Sequence, residues 1–316
     1  MLAATGRTRH AFGAAERGTP PPPTPLADLH ALVLGTVQDA GLPQVGCYSE
    51  RCDRARTAVS PRYVASLALV EPESERFWLV DATPDITRQV DLIDHPAFRE
   101  RAGQRRPFDG IFLTHAHIGH YLGLALLGNE GMGIRDTPAY CTAAMAAFLA
   151  DNAPWSLLVD QGRIVPTVLE PGRWHEIDGS FRVQPITVPH RDEFADTVGF
   201  VFEGERASLL YVPDINSWEA WDRDVEQMVA AVDVALLDGS FYSLDELPGR
   251  TIDDVPHPLM PLTMDRLQGV IDRGESRVVF THLNNSNPAL DEGGPEAMEV
   301  VRRGFEIARE GMRVEL

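Results

Sequence analysis

The chain has 316 residues, of which 44% are hydrophobic and 24% charged, a composition typical of globular proteins and unlike that of disordered or collagen-like chains. Its 28 basic and 47 acidic residues give a formal net charge of −19, which repels phosphate backbones, so we expect no nucleic-acid partner. No window reaches the roughly 18 consecutive apolar residues of a membrane span and no signal-peptide core precedes the domain, so we expect a cytoplasmic protein with no membrane association.

Residues 1–28 combine arginines, small residues and four consecutive prolines without sustained periodicity. This pattern is typical of a flexible, proline-rich N-terminal arm. The first apolar run, at residues 31–34, leads into a loop rich in turn-forming residues. Because no internal repeat and no long polar linker divides residues 29–316, we predict one domain there.

Short apolar runs bounded by turn residues recur along the domain and are typical of buried strands. They cover residues 77–80, 110–113, 181–188, 198–202, 209–212, 234–237 and 278–280. Helical spacing of apolar residues recurs as well, at residues 121–127, 143–149, 218–232, 264–271 and 295–309. Together these elements predict a single α/β layered domain.

The run at residues 110–113 leads directly into Thr-His-Ala-His-Ile-Gly-His at residues 114–120. In an extended segment, residues two apart face the same side, so His115 and His117 can converge and a turn can bring His120 alongside them. Neutral imidazoles are favoured ligands of zinc, iron and related metals. The cluster predicts a metal site, and solvated histidines at a strand end are the alternative.

Three isolated polar residues stand at the ends of later apolar runs, namely His190, Asp214 and His282. A layered α/β fold collects its functional loops at such strand ends, although each residue alone is more typical of a strand cap. With the first cluster they supply five imidazoles and one carboxylate. That is the inventory of a two-metal site.

The order His-x-His-x-x-His, His, Asp, His resembles the metallo-β-lactamase superfamily. Further motifs resemble its pyrroloquinoline quinone biosynthesis protein B (PqqB) branch: Leu-Gly-Thr at residues 34–36, Gly-Leu-Pro-Gln at 41–44 with Cys47, Asp-x-x-Pro-Asp at 81–85, Asp-Gly-Ser-Phe at 238–241 and His-Leu-Asn-Asn-Ser-Asn-Pro at 282–288. The resemblance covers residues 31–316. It implies an αββα sandwich with the metal site at one edge of its two sheets.

The resemblance also implies the ligands: His115, His117 and His190 for a first metal, Asp214 as a bridge, and His120 and His282 for a second metal. The superfamily usually has an aspartate directly before the third histidine of the cluster, where this chain has Gly119. We therefore expect a weakened second metal position, which Gly119→Asp should strengthen. PqqB proteins typically lack the two histidines that stand here at 115 and 117, so this part of the site resembles that of ordinary superfamily hydrolases.

Zinc held by three neutral histidines keeps an open position, and the pKa of its bound water falls from about 15.7 towards about 7. The sequence thus predicts a hydrolase that uses a metal-bound hydroxide on an ester, lactone, amide or phosphodiester, with Asp214 orienting or deprotonating the water. His257 is the candidate for stabilising the oxyanion or protonating the leaving group, and a solvent-exposed loop histidine is the alternative. We expect one or two zinc ions, with iron or manganese as alternatives.

Three further residues have proposed supporting roles. Asp81 ends the run at residues 77–80, where its carboxylate could accept the second ring N–H of a ligand histidine or cap a turn. In related proteins the loop of Cys47 and Cys52 often has a third cysteine and a structural zinc, but here the middle position is Ser49. Cys47 and Cys52 are therefore either ligands of a structural zinc or free thiols.

We expect a small-molecule or peptide substrate, and the sequence is compatible with a homo-oligomer. Two other functions remain open. The tail motif and the glycine-rich loop fit an iron-dependent, PqqB-like oxygenase or hydroxylase in quinone cofactor biosynthesis. Gly119 stands where the superfamily usually has a carboxylate, and this difference suggests a noncatalytic metal-binding module as the other alternative.

Overall fold

The computed structural model describes residues 29–57, 62–249, 251 and 256–316. The predicted arm, residues 1–28, lies outside the described residues. Two seven-stranded sheets form the centre of the domain. No helix within the described ranges is long and apolar enough to cross a membrane.

The first sheet is mixed: its strands are antiparallel in one half and parallel in the other. β14 pairs antiparallel with β1, β1 with β2 and β2 with β3, whereas β3 to β6 run parallel. In spatial order its strands are β14 (Arg313–Glu315), β1 (His30–Gly35), β2 (Ser66–Glu71), β3 (Arg76–Val80), β4 (Gly110–Phe112), β5 (Thr137–Cys141) and β6 (Ile164–Val168).

The second sheet repeats this division. β10 to β13 run parallel, and β7 to β10 pair antiparallel. In spatial order its strands are β13 (Glu306–Ile307), β12 (Arg277–Thr281), β11 (Val234–Asp238), β10 (Ser208–Val212), β9 (Val198–Glu203), β8 (Phe181–Thr187) and β7 (His175–Ile177).

Helices cover the outer faces of both sheets. The α-helices are α1 (Glu50–Arg56), α2 (Ile86–Gln89), α3 (Pro96–Gly103), α4 (Ile118–Tyr121), α5 (Ala143–Asp151), α6 (Trp155–Asp160), α7 (Val225–Ala230), α8 (Met260–Arg273) and α9 (Pro295–Arg302). Short 3-10 helices span Val90–Leu92, Leu122–Leu127, Leu244–Glu246 and Pro288–Leu290.

Three apolar clusters hold these layers together. The central cluster lies between the sheets and is rich in aromatic residues, with Phe112 of β4 against Phe200 and Phe202 of β9 at ring-centroid distances of 5.6 and 5.4 Å. A second cluster joins the first sheet to α3, α5 and α6, and a third joins the second sheet to α7, α8 and α9. Burial on both faces explains why central strands such as β3, β10 and β11 are continuous apolar runs. The predicted αββα sandwich in one domain is confirmed.

Several predicted elements differ in extent. The helix predicted at 218–232 is reduced to α7, because Trp218 and Trp221 are buried outside any helix, where their ring N–H groups donate to Thr263 Oγ1 and to the carbonyl of Thr187. The helix predicted at 295–309 ends at Arg302, and the chain turns at Gly304 (φ 87°) into β13. The helix predicted at 121–127 is divided, because Tyr121 ends α4 and Leu122–Leu127 form a 3-10 helix. Strands β2, β5, β6, β7, β13 and β14 were not predicted.

Candidate metal centre

Parallel strand ends bring the predicted ligands to one edge of the sandwich. The histidine cluster follows β4 of the first sheet, while Asp214 follows β10 and His282 follows β12 in the second sheet. Parallel strands present their carboxyl ends at the same edge, where open α/β sheets bind ligands. The topology therefore makes neighbours of residues that are far apart in the sequence.

The first ligand group consists of His115, His117, His190 and Asp214, whose donor atoms all lie within 4.8 Å of one another. Nδ1 of His117 lies 3.0 Å from Nε2 of His115 and 3.0 Å from Nε2 of His190. Oδ2 of Asp214 lies 3.5 Å from Nε2 of His115 and 3.1 Å from Nε2 of His190. The structure thus brings together all four residues that were predicted for the first metal and the bridge.

The second ligand group consists of Asp39, His120 and His282. Oδ1 of Asp39 lies 3.4 Å from Nε2 of His120 and 3.8 Å from Nε2 of His282. Nε2 of His282 also lies 3.8 Å from Oδ2 of Asp214. The Asp214 carboxylate therefore stands between the two groups, which is the position predicted for a bridge.

Beside these groups, His257 lies against the carboxylates of Asp214 and Asp238, and the donor atoms of these three residues also all lie within 4.8 Å of one another. Nδ1 of His257 is 2.8 Å from Oδ2 of Asp238 and 3.4 Å from Oδ1 of Asp214. His257 is buried, which excludes the alternative of a solvent-exposed loop histidine. Asp238 also accepts hydrogen bonds from the backbone N–H groups of Ile215 and Ser240, so it is fixed in place.

Each ligand imidazole has a polar partner at the ring nitrogen that points away from the ligand groups. Such partners fix the orientation and tautomer of a metal-binding histidine. The pairs are His115 Nδ1 with Thr114 Oγ1 (3.0 Å), His117 Nε2 with Glu193 Oε2 (3.2 Å), His120 Nδ1 with Asp81 Oδ2 (2.7 Å), His190 Nδ1 with Asn216 Oδ1 (2.8 Å) and His282 Nδ1 with Ser240 Oγ (3.2 Å). The inward nitrogens are thereby aimed at each other.

The Asp81 carboxylate lies at the second ring nitrogen of a ligand histidine, which is the supporting role that the sequence suggested for it. It is fully buried, and besides contacting His120 it accepts hydrogen bonds from the backbone N–H and the hydroxyl of Thr114. Its backbone has φ 64°, and His282 has φ 61°, a region that non-glycine residues rarely adopt. Such strain persists where the surrounding structure fixes the conformation, and it clusters at functional sites.

The electrostatics of the first group favour the protonation states that metal ligands need. Burial lowers the pKa of His115 well below its usual value and also lowers the pKa of His117. Burial alone would raise the pKa of Asp214, but the nearby His282, His115 and His190 outweigh it and hold the pKa well below its usual value. Neutral imidazoles and an ionised carboxylate are the forms that bind a cation.

The second group attracts positive charge. Burial by itself would lower the pKa of His120, but the Asp81 and Asp39 carboxylates raise it to about 10. Burial would raise the pKa of Asp39, and the nearby imidazoles of His120 and His282 lower it instead. A metal cation between these groups would supply the same positive charge.

Four buried polar atoms at the centre have no hydrogen-bond partner in the part of the chain that the structure describes: Asp39 Oδ1, His120 Nε2, His282 Nε2 and Asp214 Oδ1. A buried polar atom without a partner costs about 1–3 kcal/mol, so four of them in one place require an explanation. Three of the four belong to the second ligand group and the fourth to the shared carboxylate. Coordination of metal ions by these residues fits the arrangement.

Two site residues were missed from the sequence. Asp39 follows the first apolar run within the loop Gly-Thr-Val-Gln-Asp-Ala-Gly, so the strand-end argument that selected Asp214 could also have selected Asp39. Asp238 belongs to the Asp-Gly-Ser-Phe motif, and the sequence predicted no role for it at the site. From Gly119 we expected a second metal position that lacks the usual carboxylate. The structure differs, because Asp39 places a carboxylate beside His120.

The two cysteines of the loop behave differently from the histidines. Asn285 Nδ2 lies 3.4 Å from Cys47 Sγ and 3.6 Å from Cys52 Sγ. Ser49 caps α1, where its hydroxyl accepts from the backbone N–H of Cys52 and contacts Cys47 Sγ at 3.3 Å. Neither cysteine belongs to any potential metal-ligand cluster among the described residues, and all three cysteines are free thiols. The geometry fits the free-thiol alternative.

Comparisons with known proteins agree with this architecture. The family model of the Beta-lactamase superfamily domain matches residues 76–283. Coenzyme PQQ synthesis protein B of Cupriavidus necator is 29% identical, with 90% of this chain and 98% of that protein covered. The crystal structure of zinc-bound PqqB from Methylobacterium extorquens has a TM-score of 0.77 at 26% identity and covers 91% of this chain and 100% of that one. A diphosphatase of the PhnP family has the same fold, with a TM-score of 0.63 at 20% identity over 91% of this chain and 97% of that one.

Proposed function

This chain belongs to the β-lactamase superfamily, and we propose that it is a metal-dependent hydrolase that cleaves an ester, lactone, amide or phosphodiester bond in a small molecule or peptide. The observation that carries the proposal is the convergence of two ligand groups on one shared carboxylate, with a buried Asp238–His257 pair next to it. Zinc is the proposed metal, since imidazole and carboxylate ligands suit it and a PqqB relative is a zinc-bound protein.

When bound, a zinc ion lowers the pKa of coordinated water and polarises a carbonyl or phosphoryl oxygen. The chain supplies the remaining functions. Asp214 is ionised, and its Oδ1 has no hydrogen-bond partner among the residues that the structure describes. This oxygen can therefore orient the attacking water or accept its proton. Because Asp214 lies between the two ligand groups, this proton acceptor is close to both of them.

His257 supplies the complementary proton. Burial would lower the pKa of His257, but the charges of Asp238 and Asp214 raise it to about 9, which favours the protonated ring. Asp238 holds its Nδ1 at 2.8 Å and fixes the plane of the ring. A protonated and oriented imidazole can donate to a leaving group or to a developing oxyanion.

The surroundings of His117 favour a substrate that carries an apolar group. Ile118, which follows His117, is 55% exposed, and Phe194, which follows Glu193, is 63% exposed. Glu193 itself contacts His117. Apolar side chains exposed beside polar ligands are typical of small-molecule sites. The proposal includes no nucleic-acid partner, in keeping with the charge of −19. It also includes a cytoplasmic location.

The test is metal reconstitution followed by a substrate panel. Protein freed of metal with a chelator is dialysed against zinc, manganese or, anaerobically, iron(II), and is assayed on nitrophenyl esters, lactones, amides and phosphodiesters. We expect zinc-dependent turnover that His257→Gln and Asp214→Asn each reduce by at least about 100-fold, the lower range for acid–base groups. His175→Ala removes a histidine outside the ligand groups and should leave turnover intact. Full zinc loading without cleavage of any bond class would refute the proposal.

A second function, in quinone cofactor biosynthesis, is favoured by one observation. The relative from Cupriavidus necator, which matches over 90% of this chain, is named Coenzyme PQQ synthesis protein B. In this case the ligand groups would hold iron and the enzyme would act as an oxygenase or hydroxylase. Retention of iron after isolation, with oxygen consumption coupled to substrate, would support this second function, and activity with zinc alone would exclude it.

A further inference from the structure

Gly119 leaves a space that another residue fills. It lies in α4, directly before His120, at the place where the superfamily usually has an aspartate. A Cβ added to Gly119 would lie 2.1 Å from Asp39 Oδ1 and 2.7 Å from Asp39 Cα. Gly119 is not among the glycines with positive φ, so its backbone does not require glycine. The absent side chain therefore provides room for Asp39.

Asp39 is held in this space by the backbone around it. Gln38 N–H donates to the carbonyl of Leu283 at 3.0 Å, and Leu283 N–H donates to the carbonyl of Thr36 at 2.9 Å. Gly41, with φ 73°, lets its N–H turn back to the carbonyl of Gln38 at 2.8 Å. The loop after β1 is thus paired with the segment that directly follows His282. The same backbone hydrogen bonds therefore position both Asp39 and His282.

The distances suit a metal ion better than an ion pair. Ligand bonds of about 2.0–2.2 Å in a tetrahedral site place donor atoms about 3.4 Å apart. Asp39 Oδ1 is 3.4 Å from His120 Nε2 and 3.8 Å from His282 Nε2. None of these three buried atoms has a hydrogen-bond partner within the described ranges, although a plain Asp–His ion pair would form one.

We propose that Asp39 is the anionic ligand of the second metal, and that the carboxylate usually carried next to the third histidine has moved in this chain from position 119 to the loop after β1. The second metal would then be held by Asp39, His120 and His282 and share Asp214. The second metal position then has its carboxylate ligand, because Gly119 leaves room for the Asp39 side chain. This inference rests on the metal centre of the proposed function.

The first experiment measures zinc per chain after equilibrium dialysis. Wild-type protein should bind two ions. Asp39→Asn keeps the shape of the side chain but removes its charge, and it should weaken the second ion by at least about 100-fold, since losing even an indirect partner of a metal ligand costs 10–100-fold. Asp94→Asn, an exposed aspartate with the same charge change, is the control and should bind two ions. Two ions bound to Asp39→Asn with unchanged affinity would overturn the inference.

The second experiment exchanges the two positions. Gly119→Asp alone should lose the second ion, because its Cβ collides with Asp39. The double variant Asp39→Gly/Gly119→Asp restores the usual location of the carboxylate and should recover the second ion. Circular dichroism and melting temperature establish that each variant is folded. A folded double variant that binds no better than Gly119→Asp would contradict the inference.

Metal content and turnover separate this inference from the proposed function. If Asp39→Asn loses one of two ions but the wild type cleaves nothing, the ligand assignment stands and the hydrolase proposal fails. If the wild type turns over substrate with one ion and Asp39→Asn binds that ion equally, the hydrolase proposal stands and the ligand assignment fails. Manganese, whose paired ions give a coupled electron paramagnetic resonance signal, provides a readout that needs no substrate.

Discussion

The metal centre and the cysteine loop at residues 47–52 are both regions where residue types alone suggest a metal. At the centre, buried donor atoms of Asp39, His120 and His282 converge without hydrogen-bond partners among the described residues. In the cysteine loop, the two thiols have hydrogen-bond partners in Ser49 and Asn285, and the described residues add no third ligand. The difference teaches that unsatisfied, converging donors distinguish a metal site more reliably than the presence of favourable residue types.

The largest expected effect follows from removing a ligand of the first group. His115→Ala deletes a buried imidazole whose Nε2 contacts both His117 and Asp214. Zinc affinity of the first position should fall by at least about 100-fold, measured by elemental analysis after dialysis. His175→Ala is the matched control. Full zinc content in a folded His115→Ala protein would refute the assignment.

Removing the metal should destabilise the protein, because the four unpartnered atoms then remain buried. At a free zinc concentration of 1,000 times the dissociation constant, binding stabilises the native state by about 4 kcal/mol. Chelation should therefore lower the melting temperature by on the order of 10 °C, measured by calorimetry. The double variant Cys47→Ser/Cys52→Ser should show the same shift as wild type. A smaller shift in that variant would assign part of the metal to the cysteine loop.

A smaller effect is expected from the partner of a ligand. Asp81→Asn keeps the shape of a side chain whose Oδ2 lies 2.7 Å from His120 Nδ1, but removes its charge. Metal affinity at the second position should fall by about 10–100-fold. Titration calorimetry with zinc measures this change, with Asp94→Asn as the control. Equal affinities would show that Asp81 only fixes the turn after β3.

The smallest effect concerns reactivity and leaves the metal untouched. Hydrogen bonding with Cys52 and Ser49 lowers the pKa of Cys47 to about 7, whereas burial raises the pKa of Cys141 to about 12. The reactive form is the thiolate, which accumulates as pH rises through the pKa. Cys47 should therefore be alkylated by iodoacetamide with a midpoint near pH 7, measured by mass spectrometry, while Cys141 stays unmodified. Protection of Cys47 by added zinc would instead indicate a metal-bound thiolate.

Much of the fold was accessible from the sequence because strands buried on both faces must be apolar. The runs at 209–212, 234–237 and 278–280 correspond to β10, β11 and β12. Short or edge strands such as β7 and β13 escaped, since they bury little surface and leave little pattern. The length of α7 also escaped, because the buried tryptophans before it have helical spacing in the sequence without forming a helix.

The sequence by itself determined the chemistry available at the site: it placed six imidazole and carboxylate side chains at the ends of apolar runs, in an order that resembles one superfamily. Only the tertiary structure decided which side chains converge. Contact between Asp39 and Gly119 depends on pairing between the loop after β1 and the segment after β12, and such long-range pairing leaves no periodic signal along the chain. Because of the same pairing, the space that Gly119 leaves is filled by the Asp39 carboxylate from the loop after β1.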